Sequence, residues 1–290
     1  MTTARALACL AALALAAAPL AAQQQRVQAG RRLDPTGLVR VWNEEGSLRI
    51  VGWDRDSVAV TGTVPRGKEF QVGGTSAGVK ITVDHAESTD TAHLEVRVPR
   101  RSQVWVKTAG SRVSVSGLAG NLDVYSVTGP ITVNGALTAV TLESMGGEVS
   151  VGGSAVSLRV KTASGAVRLS GRADDAVATT VSGPVRLEGV RFRRARVESV
   201  DGDLRYAAPV PAGSSLELTT HGGGVEMVLP RGTAAELNAS TFEGVIRSAL
   251  PGSPSPRPKG KGYILGFTLG RGGSQITIRS FRGAVTLRHP

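Results

Sequence analysis

Cysteine is all but missing from this sequence. Cys9 is the only one among 290 residues, and it lies in an N-terminal stretch that reads as a removable leader. The remainder therefore has no disulfide, no thiolate metal site and no cysteine nucleophile. Aromatic side chains make up 4% of the chain, which excludes a bulky globular centre and leaves medium-sized aliphatics to fill the interior. Long apolar runs are missing as well: Ala6–Ala18 falls short of the roughly 20 residues that a membrane-spanning helix requires. Acidic residues are absent from the last stretch, where Gly244–Pro290 carries eight Lys or Arg and no Asp or Glu.

The leader has an order of its own. Arg5 gives one positive charge, the apolar run follows, and Pro19, Leu20, Ala21 and Ala22 lead into Gln23-Gln24-Gln25. A charged start, a short apolar core and small residues before a polar stretch mark a secretory signal peptide over 1–22; a retained N-terminal anchor is the alternative. The expectation is an exported protein, periplasmic, cell-surface or extracellular, with no transmembrane helix after signal cleavage. Loss of Arg5 with the leader takes the formal net charge from +11 to +10, and in that compartment it meets envelope polyanions, anionic lipid headgroups or acidic glycans, and not nucleic acid.

What the sequence has in quantity is glycine, 37 residues of it, and much of it is periodic. The pattern apolar-x-apolar-x-Ser/Thr-x-x-Gly-x-apolar-x-apolar recurs along the chain. Its Ser/Thr position falls at Thr108, Ser126, Ser144, Thr162 and Thr180, 18 residues apart each time, then at Ser199, Thr220 and Thr241 after 19, 21 and 21. Degenerate copies stand at Asn43 and Ser280. The glycine three residues on is Gly129, Gly147, Gly165, Gly183, Gly202, Gly223, Gly244 and Gly283, with Gly46 in the early copy and Ser111 as the exception. Each copy holds two stretches of strict alternation, the period of a half-buried strand. Leu158/Val160 and Val167/Leu169 would point inward, with Arg159, Lys161 and Arg168 outward. The glycine is expected to supply a positive φ at the turn, and Pro130 and Pro184 after it suit a turn.

Two strands and two tight turns in 18 residues predict one coil of a parallel β-solenoid, with coils about 4.8 Å apart. The inward aliphatics contribute about 1.5–3 kcal/mol each, enough only when coils are stacked. The expected fold is all-β. The solenoid covers 106–248, and an N-terminal β segment over 23–105 caps it with antiparallel strands Ser57–Val64, Gly78–Val83 and Ala92–Val98. A Pro/Gly-rich loop covers 249–262. Over 263–290, Tyr263–Leu269 and Gln275–Ser280 form a closing hairpin around Gly270–Gly273, with the last repeat. An antiparallel β-sandwich is the alternative, though it gives no reason for so constant a period.

A leader, an N-terminal β segment ending in Val96-Arg97-Val98-Pro99 and tandem Ser/Thr-x-x-Gly-x-apolar-x-apolar repeats together resemble the bacterial putative-adhesin family of β-strand-repeat proteins, a family of unknown function. The resemblance runs over roughly Val39–Leu287. It implies a surface role and brings no catalytic residues with it.

Catalytic motifs dissolve on inspection. Gly74-Thr75-Ser76-Ala77-Gly78 has the spacing of a nucleophile elbow, which needs a helix after the serine, yet Val79–Val83 alternates as a strand. Gly62–Lys68 begins like a phosphate-binding loop but is followed by Glu69 where Ser or Thr belongs. His85, His93, His221 and His289 are dispersed and give no converging metal ligands; His221 reads as a solvated turn residue. No catalytic residue, cofactor or metal is expected.

Arginine is the informative class. Arg168, Arg186 and Arg205 take one outward repeat position in consecutive coils, and Arg191, Arg193, Arg194 and Arg196 crowd what reads as a turn between two of them. Like charges stacked across strands repel, a cost that a bound anion would offset; solubility alone is the plainer reading. Arg257, Lys259 and Lys261, in the Pro/Gly loop, suit contact with an anionic surface. The function expected is a non-enzymatic binding or scaffold module, adhesin-like, with an anionic envelope polymer or glycan as candidate partner. An envelope-stress ligand-binding or shielding protein is one alternative. A carbohydrate-active β-helix enzyme is another, disfavoured because Asp and Glu are scattered and aromatics are few for stacking sugar rings.

Overall fold

The computed structural model describes residues 24–83 and 91–290; the proposed leader and His85 lie outside them. The described residues form 23 β-strands, and none of them forms a helix long and apolar enough to cross a membrane. The parallel solenoid is borne out. Ile131–Ser144, Val149–Thr162, Val167–Thr180 and Val185–Ser199 lie side by side. Ile131 pairs with Val149, Val149 with Val167 and Val167 with Val185, all in parallel, so one sequence repeat is one coil. The 19-residue interval is a bulge: pairing shifts by one between Leu169 and Gly171, where the partner strand carries the extra residue near Gly189. The longer intervals carry their excess in loops, 208–214 and 229–234, outside the strands.

Alternation decides what is inside. Val41, Val106, Val124, Leu142, Val160, Ala178, Val197, Leu218, Ile278 and Ala239 form one buried column through successive coils. Most coil ends carry the repeat's Ser or Thr, also buried, with its hydroxyl bonded at the turn; Ser199 Oγ is buried without a hydrogen-bond partner among the described residues. Thr162 Oγ1 donates to the Gly165 carbonyl at 2.9 Å, and the Gly147 N–H donates to Ser144 Oγ at 2.9 Å. The repeat glycines do not serve the conformation expected of them. Of that set only Gly46 has a positive φ, 113°. The others stand in a column where each would drive a Cβ into the backbone of the turn beneath, Gly165 into Gly147 and Gly183 into Gly165. Their role is close approach of stacked turns.

At both ends the stacking order departs from chain order. The early copy, Leu38–Trp42 and Gly46–Trp53, lies between the coil of Gln103–Thr108 and Arg112–Ser116 and that of Gly78–Val83 and Ala92–Pro99, parallel to both. The last two segments were expected in an antiparallel cap. They are antiparallel on their outer side only, to Phe70–Thr75 and Ser57–Pro65, with Gln24–Arg32 outermost. Their paired inward residues, Val79/Ile81 and Leu94/Val96, make them a coil in their own right.

The other end repeats the device. Gln275–Ser280 and Val285–Arg288 insert between the coil of Ser215–Thr220 and Val225–Val228 and that of Ala235–Thr241 and Ile246–Ser248. The expected hairpin of Tyr263–Leu269 with Gln275–Ser280 is therefore not formed, because Ala235–Thr241 runs between them. Gln275–Ser280 has the repeat's inward Ile276/Ile278 and its Ser280 turn, so it joins the stack; Gly262–Leu269 lacks that pattern and closes the edge. Nor is the Pro-rich stretch wholly loop. Arg257–Lys259 is a short outermost strand on Gly262–Ile264, a place where Pro258 leaves no ladder donor missing. Edges covered in this way do not invite further strands.

Candidate binding faces

The structure brings the predicted arginine column together. Arg168 lies beside Arg186 and Arg186 beside Arg205, and the column continues into Ser150 on one side and Glu226 on the other. Carboxylates relieve two of the three. Arg168 pairs with Glu148; Arg205 pairs with Glu226 and lies 3.6 Å from Glu188. Arg186, between them, forms no ion pair among the described residues.

Glu226 is the hinge of this charge cluster. Burial pushes its carboxyl up, but hydrogen bonds from Arg205 and Arg288 outweigh that and hold it below the ordinary carboxylate range. The Arg288 Nε–H donates at 2.9 Å. A carboxylate lowered in the folded state adds stability that is fully present above its unfolded value and is lost as pH falls through the folded one. Glu226→Gln should therefore flatten part of the acid-side fall in melting temperature, followed from pH 6 down to about pH 3. A profile parallel to wild type would show that the pair contributes nothing.

The second arginine group does not occupy a turn. Arg191, Arg193, Arg194 and Arg196 lie within strand Val185–Ser199, because the 18-residue coils continue as strand through the corner into a short third face. Arg194 lies 4.0 Å from Asp175, and Arg196 Nε donates to Glu198 at 2.6 Å. Arg172, beside Arg191 in register, joins the group, and repeat alignment of the corner could have found it. Arg172, Arg191 and Arg193 have no ion-pair partner among the described residues. They border an open groove of about 560 Å³ whose floor includes Leu137, Ala155, Ala173 and Phe192.

The C-terminal basic stretch is less bare than its composition. Lys261 lies 3.9 Å from Glu243, Arg282 3.6 Å from the same carboxylate, and Arg279 pairs with Glu217. Arg257 and Lys259 stay exposed on the outermost strand, without ion pairs among the described residues. Beside this, among the described residues, no three His, Asp or Glu side chains converge as a metal site. His221 is not simply solvated: it stacks on Phe281 at 4.5 Å, and Phe281 on Phe242 at 4.7 Å, one ring per coil across the inserted last repeat.

One group escaped the sequence altogether. Trp42, Trp105 and Tyr125 point outward from neighbouring strands of one sheet, between 36% and 38% exposed. A family model described as Toastrack DUF4097 matches residues 40–288. The chain belongs to that family. Among solved structures, the Toastrack chain is similar to a putative adhesin from Parabacteroides merdae, at 8% identity over 92% of this chain and 96% of that one, with a TM-score of 0.51. It is also similar to a putative lipid binding protein from Parabacteroides distasonis, at 8% identity over 90% and 96%, with a TM-score of 0.51. At such identities the likeness is one of fold. No curated protein matches the chain.

Proposed function

We propose that this Toastrack protein is an exported, non-enzymatic binding or scaffold module of the cell envelope, adhesin-like, that holds an anionic polymer along its basic mid-section. One observation carries the reading. Strand register sets Arg186 between two further arginines, and sets Arg172 against Arg191 on the adjoining face, and among the described residues none of Arg172, Arg186, Arg191 and Arg193 forms an ion pair, although Asp174 lines the same groove. Stacked like charges cost stability, and planar guanidinium groups in a row meet sulfate, phosphate or uronate oxygens with paired donors. Individually weak contacts repeated along a polymer add up to useful affinity. The names borne by the structural neighbours, adhesin and lipid binding, agree with a surface role.

Titration against a sulfated, a phosphorylated and a uronate polymer tests the proposal. Neutralising Arg172, Arg186, Arg191 and Arg193 to Gln should weaken binding about tenfold and flatten its salt dependence. Replacing Arg168, Arg186 and Arg205 by Lys should weaken it several-fold at unchanged charge. Neutralising Arg257, Lys259 and Lys261 should instead lower retention on anionic vesicles at low salt. No binding to any polymer, or binding indifferent to the first set, overturns the reading.

A further inference from the structure

Aromatic residues are few in this chain, but they are not scattered. Two of its three Trp and one of its three Tyr meet on one outward face. Parallel pairing places Trp42 beside Lys107 and Lys107 beside Tyr125, with Trp105 beside Asp123 in the alternate row. Farther along the same two rows stand Thr141, Arg159, Glu143 and Lys161, then Val177, Thr179, Arg196 and Glu198, none aromatic. The ammonium of Lys107 lies 4.9 Å from the centre of the Trp42 ring, so that ring's face is taken by a cation. Trp105 and Tyr125 are the open pair. They border a hollow of about 700 Å³ with Lys107, Asp123, Thr141 and Glu143, a size within the range of about 300–1,000 Å³ common for ligand sites. Neither the Trp105 indole N–H nor the Tyr125 hydroxyl has a hydrogen-bond partner among the described residues.

We propose that this hollow is a second binding site, and that its occupant is an uncharged polysaccharide of pyranose rings. A pyranose presents apolar C–H faces and a polar rim of hydroxyls. The C–H faces suit the negative faces of Trp105 and Tyr125. The rim both donates and accepts, and so do the groups around it: Lys107 donates, Asp123 and Glu143 accept, and Thr141 does either. Charge separates this ligand from that of the arginine face: Lys107 balances Asp123, and Lys161 lies 3.5 Å from Glu143, so the hollow offers a polyanion no run of unpaired cations. Trp105 and Tyr125 stand on adjacent strands, two residues out of register, so each can meet a different ring of one linear glycan. The site is independent of the arginine column in residues, in face and in ligand chemistry.

The experiment is electrophoresis of the full chain through gels holding a neutral β-glucan or a neutral galactomannan, with tryptophan fluorescence titrated by neutral oligosaccharides of each. Retardation in at least one gel is expected, with affinity lowered tenfold or more in Trp105→Ala and in Tyr125→Ala. Tyr125→Phe, which keeps the ring, should bind nearly as wild type. Melting temperature and binding to anionic polymers should not change in any of the three, which separates this site from the arginine face. If Trp105→Ala melts early, Trp105→Phe serves in its place and should bind within a few-fold of wild type. Absence of retardation in both neutral gels overturns the proposal, as does retardation that survives Trp105→Ala with Tyr125→Ala. Ring-dependent binding to zwitterionic vesicles or to a second copy, without glycan binding, overturns it too.

Discussion

Val160→Asp is expected to abolish the cooperative unfolding transition, whereas Arg159→Asp, its chain neighbour, is expected to leave it in place. Val160 is fully buried, with Leu142 on one side of its column and Ala178 on the other. A carboxylate there would meet only aliphatic neighbours along the column, and an unpaired buried charge costs many kcal/mol or forces its own protonation. A domain's whole stability is about 5–15 kcal/mol. Position in the stack makes the loss worse. Coils contact only their neighbours, so a failed central coil uncouples the two halves instead of fraying one end. Arg159 points the other way, between outward Thr141 and Val177, and its guanidinium donates to Ser157 Oγ at 3.1 Å. Its replacement should fall within about 0.5 kcal/mol of wild type. Urea denaturation followed by far-UV circular dichroism distinguishes the two, and equal tolerance of both would refute the register.

That register was legible because alternation and the Ser/Thr-to-Gly spacing are local facts of the chain. The same locality hides the order of the end coils. Every copy carries the same inward pattern, so nothing near Ser280 says that its coil belongs beside Thr220 and not beyond Thr241. The answer comes from elsewhere, from Gly262–Leu269, which can pair antiparallel only where a parallel coil is wanting. Carboxylate partners were hidden for the same reason: Glu217 meets Arg279 across 62 residues of chain. So was the aromatic face. Trp42 and Trp105 become near neighbours only because the early copy slips in beside Gln103–Thr108. Arg191–Arg196 departs from its expected turn for a different reason. Four arginines within six residues look like a turn, yet a corner strand whose ladder partners are in place tolerates them, with Phe192 and Ala195 turned inward.

Gly165→Ala is expected to destabilise the protein by about 3 kcal/mol or more, at the upper end of what overpacking costs, although it adds one methyl group at a turn. An added Cβ would overlap the Gly147 carbonyl oxygen and lie 2.7 Å from its carbon. The obstacle is backbone, so no side chain can swing aside. To admit the methyl the two turns would have to part, and the hydrogen bonds between them would go with the contact. Ser164 N–H donates to the Met145 carbonyl at 2.9 Å, and Ala163 N–H to that of Ser144 at 3.1 Å. Thr162 would also lose its hold on the Gly165 carbonyl. Gly189 provides the contrast. It has a φ of 62° and nothing within 4 Å of an added Cβ, so Gly189→Ala meets only the left-handed backbone penalty, about 1 kcal/mol. The two variants separate the reasons a repeat can keep glycine. If the repeat glycine served backbone conformation, Gly165→Ala would be the milder change of the two. If it serves the approach of stacked turns, the urea midpoint of Gly165→Ala falls well below that of Gly189→Ala.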